Sequence, residues 1–146
     1  MEHPNRTLEA PNPARPGLGA LRLLVVDDDP EMRRYLKRTL ERASAGRAEV
    51  RLAADGLEAL AILEAERFDL LVADVRLPGL DGLALCRAMA GTERNGATPV
   101  LLVTGDPEVL TQASAFVAGR RDRAVLAKPF NAARLVAALA RLGAPP

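Results

Sequence analysis

Phe68-Asp-Leu-Leu-Val-Ala-Asp74-Val-Arg-Leu-Pro-Gly-Leu-Asp-Gly82 is an apolar run that ends in a carboxylate and passes straight into turn chemistry. A short, continuous apolar run bounded by Pro and Gly is what a strand buried on both faces requires. Asp74 then stands at the mouth of that strand, where a carboxylate can act as a nucleophile. Three other runs are built alike. Leu23-Leu-Val-Val26 is followed by Asp27 and Asp28, Val100-Leu-Leu-Val103 by Thr104, and Ala124-Val-Leu-Ala127 by Lys128. In an open parallel α/β sheet the carboxyl ends of the strands converge on one crevice, so these polar residues are expected to meet there.

From Leu21 onward, β-rich apolar runs alternate with longer segments whose apolar residues recur every three to four positions. Strands are expected over 22–26, 49–53, 70–73, 100–103 and 124–127, and helices over 31–43, 57–65, 82–89, 108–118 and 132–142. The helix starts have local causes. Asp29-Pro30 and Asp106-Pro107 pair a capping carboxylate with a proline suited to the first turn, and Asp55, Asp81 and Asn131 are placed to cap the other three. Gly46, Gly91 and Gly143 follow helix ends. Strands alternating with helices require right-handed crossovers, which give an α/β, doubly wound parallel sheet covered on both faces.

Composition narrows the function. Of the 146 residues, 1–20 carry Pro4, Pro11, Pro13 and Pro16 without an apolar centre, and they read as a flexible extension containing the lone His3; 143–146 read as a short tail. Residues 21–142 are then one domain of a size that supports a real core. Acidic and basic residues nearly cancel to a net charge of +1, with no basic run of the kind that binds nucleic acid. The single cysteine, Cys86, cannot form an internal disulfide, and no apolar stretch approaches the roughly twenty residues of a membrane span. The expected compartment is the cytoplasm. Cys86 reads as a small buried helix residue, Phe68, Phe116 and Phe130 as core or core edge, and Arg120-Arg-Asp-Arg123 as a solvated turn.

The polar strand ends suit phosphoryl transfer. Asp27-Asp-Asp29 places three carboxylates side by side, and each close pair repels by about 1 kcal/mol in water and up to about 4 kcal/mol near a protein surface. Capping explains Asp29 but not the other two. A hard divalent cation, Mg²⁺ or Mn²⁺, would offset the repulsion while keeping waters and phosphate oxygens in its shell. With its charge so shielded, Asp74 could attack a phosphoryl group and form an aspartyl phosphate. Lys128 supplies a compact positive charge for the carboxylate and the incoming group, and Thr104 a hydroxyl donor. Pro129 permits a cis peptide after Lys128.

Val25-Val-Asp-Asp28, Asp74 with Pro78 and Asp81-Gly82 after it, Val103-Thr104 and Lys128-Pro-Phe130 together resemble the receiver domain of bacterial two-component response regulators. The resemblance spans about 21–142. It implies a flavodoxin-like (βα)5 fold with a five-stranded sheet of order 2-1-3-4-5 and Asp74 as phosphoacceptor. It makes Asp27 and Asp28 the acidic pair, and Thr104 and Lys128 the residues that contact the phosphoryl group and switch. The metal ligands it implies fall on Asp28, Asp74 and the main-chain carbonyl of Arg76, with Asp27 beside them. It further implies a histidine kinase or histidine phosphotransfer protein as donor. A downstream protein would be met through the surface of helix four, strand five and helix five, and the chain would be a monomer or a phosphorylation-dependent dimer.

Two positions depart from the common pattern. Val125 occupies the place, three before the lysine, where many receivers carry an aromatic that moves with the threonine. Arg76 and Asp106 lie two residues past Asp74 and Thr104, so an ion pair over the mouth of the site is expected to slow water entry. The chain runs on from the last helix only to Ala144-Pro-Pro146, which suits a stand-alone regulator, a phosphate sink or relay, or a receiver cut from a hybrid kinase. Two rival readings stand beside this one. An aspartate-nucleophile phosphatase would need a further acidic pair after the lysine strand, and a phosphorylation-independent pseudo-receiver would not need the full set of site residues.

Overall fold

The computed structural model describes residues 21–142, so the expected N-terminal extension, the C-terminal tail and Gly143 lie outside the described residues. Five βα units follow one another: β1 (Leu21–Val26), α1 (Pro30–Ala43), β2 (Ala48–Ala53), α2 (Gly56–Ala65), β3 (Leu70–Asp74), α3 (Gly82–Ala90), β4 (Val100–Thr104), α4 (Pro107–Val117), β5 (Arg123–Ala127) and α5 (Ala132–Arg141). The strands form a single sheet of order β2-β1-β3-β4-β5, and every neighbouring pair is parallel.

Side chains alternate across a strand, so a sheet covered on both faces needs apolar residues at every position. β3 and β4 meet this demand in their first four residues and end in a polar one, Asp74 and Thr104, with all five residues of each buried. Leu24, Val26, Leu71, Ala73 and Leu102 point to the side of α2 and α3, where Leu63, Leu85 and Met89 meet them. Leu23, Val25, Leu70, Val72, Leu101 and Val103 point to the side of α1 and α5, against Leu36, Leu40, Leu135 and Leu139. Burying such side chains contributes roughly 1.5–3 kcal/mol each, which is what holds the two layers of helices to the sheet.

All five helix caps form as the sequence predicts. Asp29 accepts from the Glu31 N–H, Asp55 from Glu58, Asp81 from Ala84, Asp106 from Glu108 and Asn131 from Arg134. Boundaries shift by a residue with clear causes. β3 and β4 each run one position further than expected because the ladder continues, pairing Asp74 with Val103 and Thr104 with Ala127. α4 begins one residue earlier, with Pro107 in its first turn, and ends at Val117, before extended Ala118 and the left-handed Gly119.

At the amino-terminal edge of the sheet, Asn95 locks two connections together. It is fully buried, its Oδ1 accepts the Phe68 N–H at 2.8 Å, and its Nδ2 donates to the Leu63 carbonyl at 2.5 Å and the Glu66 carbonyl at 2.7 Å. The Thr98 hydroxyl donates to the same Oδ1 at 2.9 Å. Backbone groups left bare where α2 ends and β3 begins are thereby satisfied by one side chain.

Candidate functional site

Because β1, β3, β4 and β5 are adjacent and parallel, their carboxyl ends deliver Asp27, Asp74, Thr104 and Lys128 to one edge of the sheet. Burial follows from this placement: Asp27, Asp74 and Thr104 are buried, whereas Asp28 is exposed. The centre of the site is the contact between Lys128 Nζ and Asp74 Oδ2 at 2.7 Å, with Asp27 Oδ2 at 3.4 Å from the same ammonium. The Lys128 N–H donates to the Thr104 carbonyl at 2.8 Å, which fixes where the side chain starts, and the Lys128–Pro129 peptide is cis.

The other carboxylate oxygens have main-chain partners. Asp74 Oδ1 accepts the Arg76 N–H at 2.9 Å, and Asp27 Oδ1 accepts the Asp29 N–H at 2.9 Å. Arg33, on the first turn of α1, donates to the Asp27 carbonyl at 2.6 Å and braces the strand end. No sequence signal singled it out among the several arginines of that helix.

The loop after Asp74 is shaped by two glycines. Gly79 follows Pro78 with φ +75°, the backbone that a tight Pro-Gly turn demands and that other residues adopt only with strain. At Gly82 a Cβ would collide with the Asp74 carbonyl oxygen and lie 2.8 Å from the Val75 Cα. Only glycine lets α3 begin so close to Asp74.

Charge in the site is unbalanced. One ligand oxygen from each of Asp27, Asp28 and Asp74 lies within 4.8 Å of the others, against the single ammonium of Lys128. Burial pushes the Asp27 carboxyl above its ordinary value and the Asp74 charge adds to this, while the Asp29 N–H and Lys128 work the other way. Burial also works against the Lys128 ammonium, but its hydrogen bond to Asp74 and the charges of Asp74 and Asp27 outweigh that and raise its pKa above the usual lysine value. An all-oxygen donor set with surplus negative charge fits a hard cation such as Mg²⁺ or Mn²⁺.

At the mouth, Arg76 and Asp106 form the expected hydrogen-bonded ion pair. The guanidinium, together with the N–H groups of Glu108 and Val109, holds the Asp106 carboxyl below the usual carboxylate range. The Thr104 hydroxyl accepts the Asp106 N–H at 3.2 Å. Val125 lies half-buried on β5 and packs against the same apolar cluster as Val109 and Phe116 of α4. Cys86 is buried in α3 as expected, and the three phenylalanines are buried or half-buried. Arg123 is not merely solvated: its guanidinium lies 3.9 Å from the Phe116 ring centroid and donates to the Phe116 carbonyl at 2.8 Å.

Comparison with known proteins bears on what this site belongs to. The family model for the response regulator receiver domain matches residues 23–140. Response regulator MprA of Mycobacterium tuberculosis is 40% identical over 123 residues, which cover 84% of this chain and 50% of that protein. The chain thus spans about half the length of the curated relatives it matches. Among solved structures, the chemotaxis protein CheY4 of Vibrio cholerae superposes with a TM-score of 0.70 at 34% identity, covering 84% of this chain and 98% of that one. The receiver domain of sensor histidine kinase PA1611 from Pseudomonas aeruginosa, solved with a magnesium ion coordinated in its active-site cleft, gives 0.70 at 29% identity over 84% of this chain and 97% of its own. No helix among the described residues is long and apolar enough to cross a membrane. With a sheet of order 2-1-3-4-5 and a family match over residues 23–140, the chain belongs to the response regulator receiver domains of two-component systems.

Proposed function

We propose that Asp74 is the phosphoacceptor of this receiver and takes its phosphoryl group from the phosphohistidine of a kinase or phosphotransfer protein. The observation that carries this reading is the 2.7 Å contact of Lys128 with a buried Asp74 at the strand mouth, beside two further carboxylates. An Asp74 carboxylate oxygen attacks phosphorus, the P–N bond to the donor imidazole breaks, and the bonding pair leaves with that nitrogen, which takes up a proton. The product is an acyl phosphate on Asp74. Lys128 neutralises charge on the carboxylate and on the arriving group, and Thr104, whose oxygen accepts the Asp106 N–H, offers its O–H as a donor. Asp27, Asp28, Asp74 and the Arg76 carbonyl would hold Mg²⁺ or Mn²⁺, which when bound shields the negative charge shared by nucleophile and phosphoryl oxygens.

The module works by changing protein contacts rather than by turning over a substrate, in the cytoplasm and without direct contact to nucleic acid. Its downstream protein partner docks on α4, β5 and α5, and it acts as a monomer or a phosphorylation-dependent dimer. Arg76, held at the mouth by Asp106, screens the site and, by turning to a phosphoryl group on Asp74, slows its hydrolysis. Intact mass after treatment with acetyl phosphate and Mg²⁺ tests this reading. One phosphoryl adduct is expected on the wild type and none on Asp74→Asn; a wild type without adduct favours the pseudo-receiver, and continuous phosphate release from many substrates favours the phosphatase. Followed in time after the donor is removed, the adduct should disappear several-fold faster in Arg76→Ala, and an unchanged rate removes the gate.

A further inference from the structure

Asp106 carries three connections at once. Its N–H donates to the Thr104 hydroxyl, its Oδ1 caps α4 by accepting the Glu108 N–H at 2.9 Å and the Val109 N–H at 3.5 Å, and its Oδ2 accepts from Arg76. Arg76 is anchored beside the acceptor by its main chain, through the N–H on Asp74 Oδ1, while its side chain, paired with Asp106, is 67% exposed. Among the described residues Asp106 is the guanidinium's partner, and a second would arrive with a phosphoryl group. A phosphoryl group offers more negative charge than a carboxylate and several oxygens in the arrangement a guanidinium grips in pairs.

We propose that Asp106 is a positioning residue that parks the Arg76 guanidinium at the rim, and that a phosphoryl group on Asp74 draws Arg76 away, so that the first turn of α4 registers the state of Asp74. The inference rests on Asp74 being the phosphoacceptor. It adds a route of communication carried by charge, in a chain that has Val125 where an aromatic relay would sit. Release of Arg76 leaves the Asp106 carboxylate to the α4 amino terminus alone, where the helix dipole and the N–H groups of Glu108 and Val109 pull on it. Val109 takes the cap through its N–H and packs by its side chain against the cluster that includes Val125. A displacement of that turn thereby reaches β5, a local charge event moving a packed element.

Amide chemical shifts of Glu108 and Val109 in the full chain test this, before and after acetyl phosphate with Mg²⁺, in wild type, Arg76→Ala and Arg76→Lys. Wild type should shift at both amides on phosphorylation. Arg76→Ala should start close to the phosphorylated wild-type positions and respond less than half as much, and Arg76→Lys, which keeps a cation, should recover at least half of the response. A wild-type-sized response in Arg76→Ala, with intact mass showing the adduct, overturns the proposal. If Arg76→Ala accepts no phosphoryl group, its resting spectrum still decides, because amides at the resting wild-type positions contradict the parked contact. Wild type without any adduct would instead defeat the phosphoacceptor reading, and the relay with it.

Discussion

Cys86 shows how one residue's surroundings settle its chemistry. It is buried in α3, and burial pushes its thiol from 9.0 up to about 12. The folded state favours the neutral thiol, so its contribution to stability is fully present below about pH 9 and is lost as pH rises toward 12, where the unfolded chain ionises first. At pH 8 the native protein should leave a thiol-exchange reagent unreacted while the unfolded chain consumes it, and fast reaction of the native protein would contradict the burial. At this scale the site residues were legible, because Asp27, Asp74, Thr104 and Lys128 each end an apolar run. The Arg76–Asp106 pair was legible for a related reason: each residue lies two past the end of one of two adjacent strands. Arg33 was not, since bracing a main-chain carbonyl six residues back leaves no mark in the pattern.

Elements were legible where a local cause existed. Capping residues named every helix start, and apolar runs named β1, β3, β4 and β5, because these are patterns among near neighbours in the chain. Asn95 is the contrary case. Nothing in the Thr92-Glu-Arg-Asn-Gly96 segment marks it, because the backbone groups it satisfies lie 27, 29 and 32 residues away and only the assembled sheet brings them together. Asn95→Ala should leave the Phe68 N–H and the Leu63 and Glu66 carbonyls without this partner and lower stability by about 1–3 kcal/mol. Denaturant unfolding measures it. An unchanged midpoint would show that water replaces the side chain without loss.

For the whole molecule, the parallel, doubly wound class followed from the alternation of βα units, whereas the order 2-1-3-4-5 came from the family resemblance; periodicity alone does not say which strands become neighbours. That order matters to function. It sets β1, β3, β4 and β5 side by side, so that residues distant in the chain, 27, 74, 104 and 128, share one edge. Two packed layers of helices hold this edge in place, while the loops above it supply exposed Asp28 and Arg76 and half-buried Asp106. On the proposed function, this architecture singles out Asp74 among three neighbouring carboxylates. Borohydride reduction of the protein after acetyl phosphate and Mg²⁺ converts an acyl phosphate to the corresponding alcohol, and peptide mass mapping then locates it. Conversion of Asp74 alone is predicted; conversion at Asp27 or Asp28, or at no aspartate, would contradict the account.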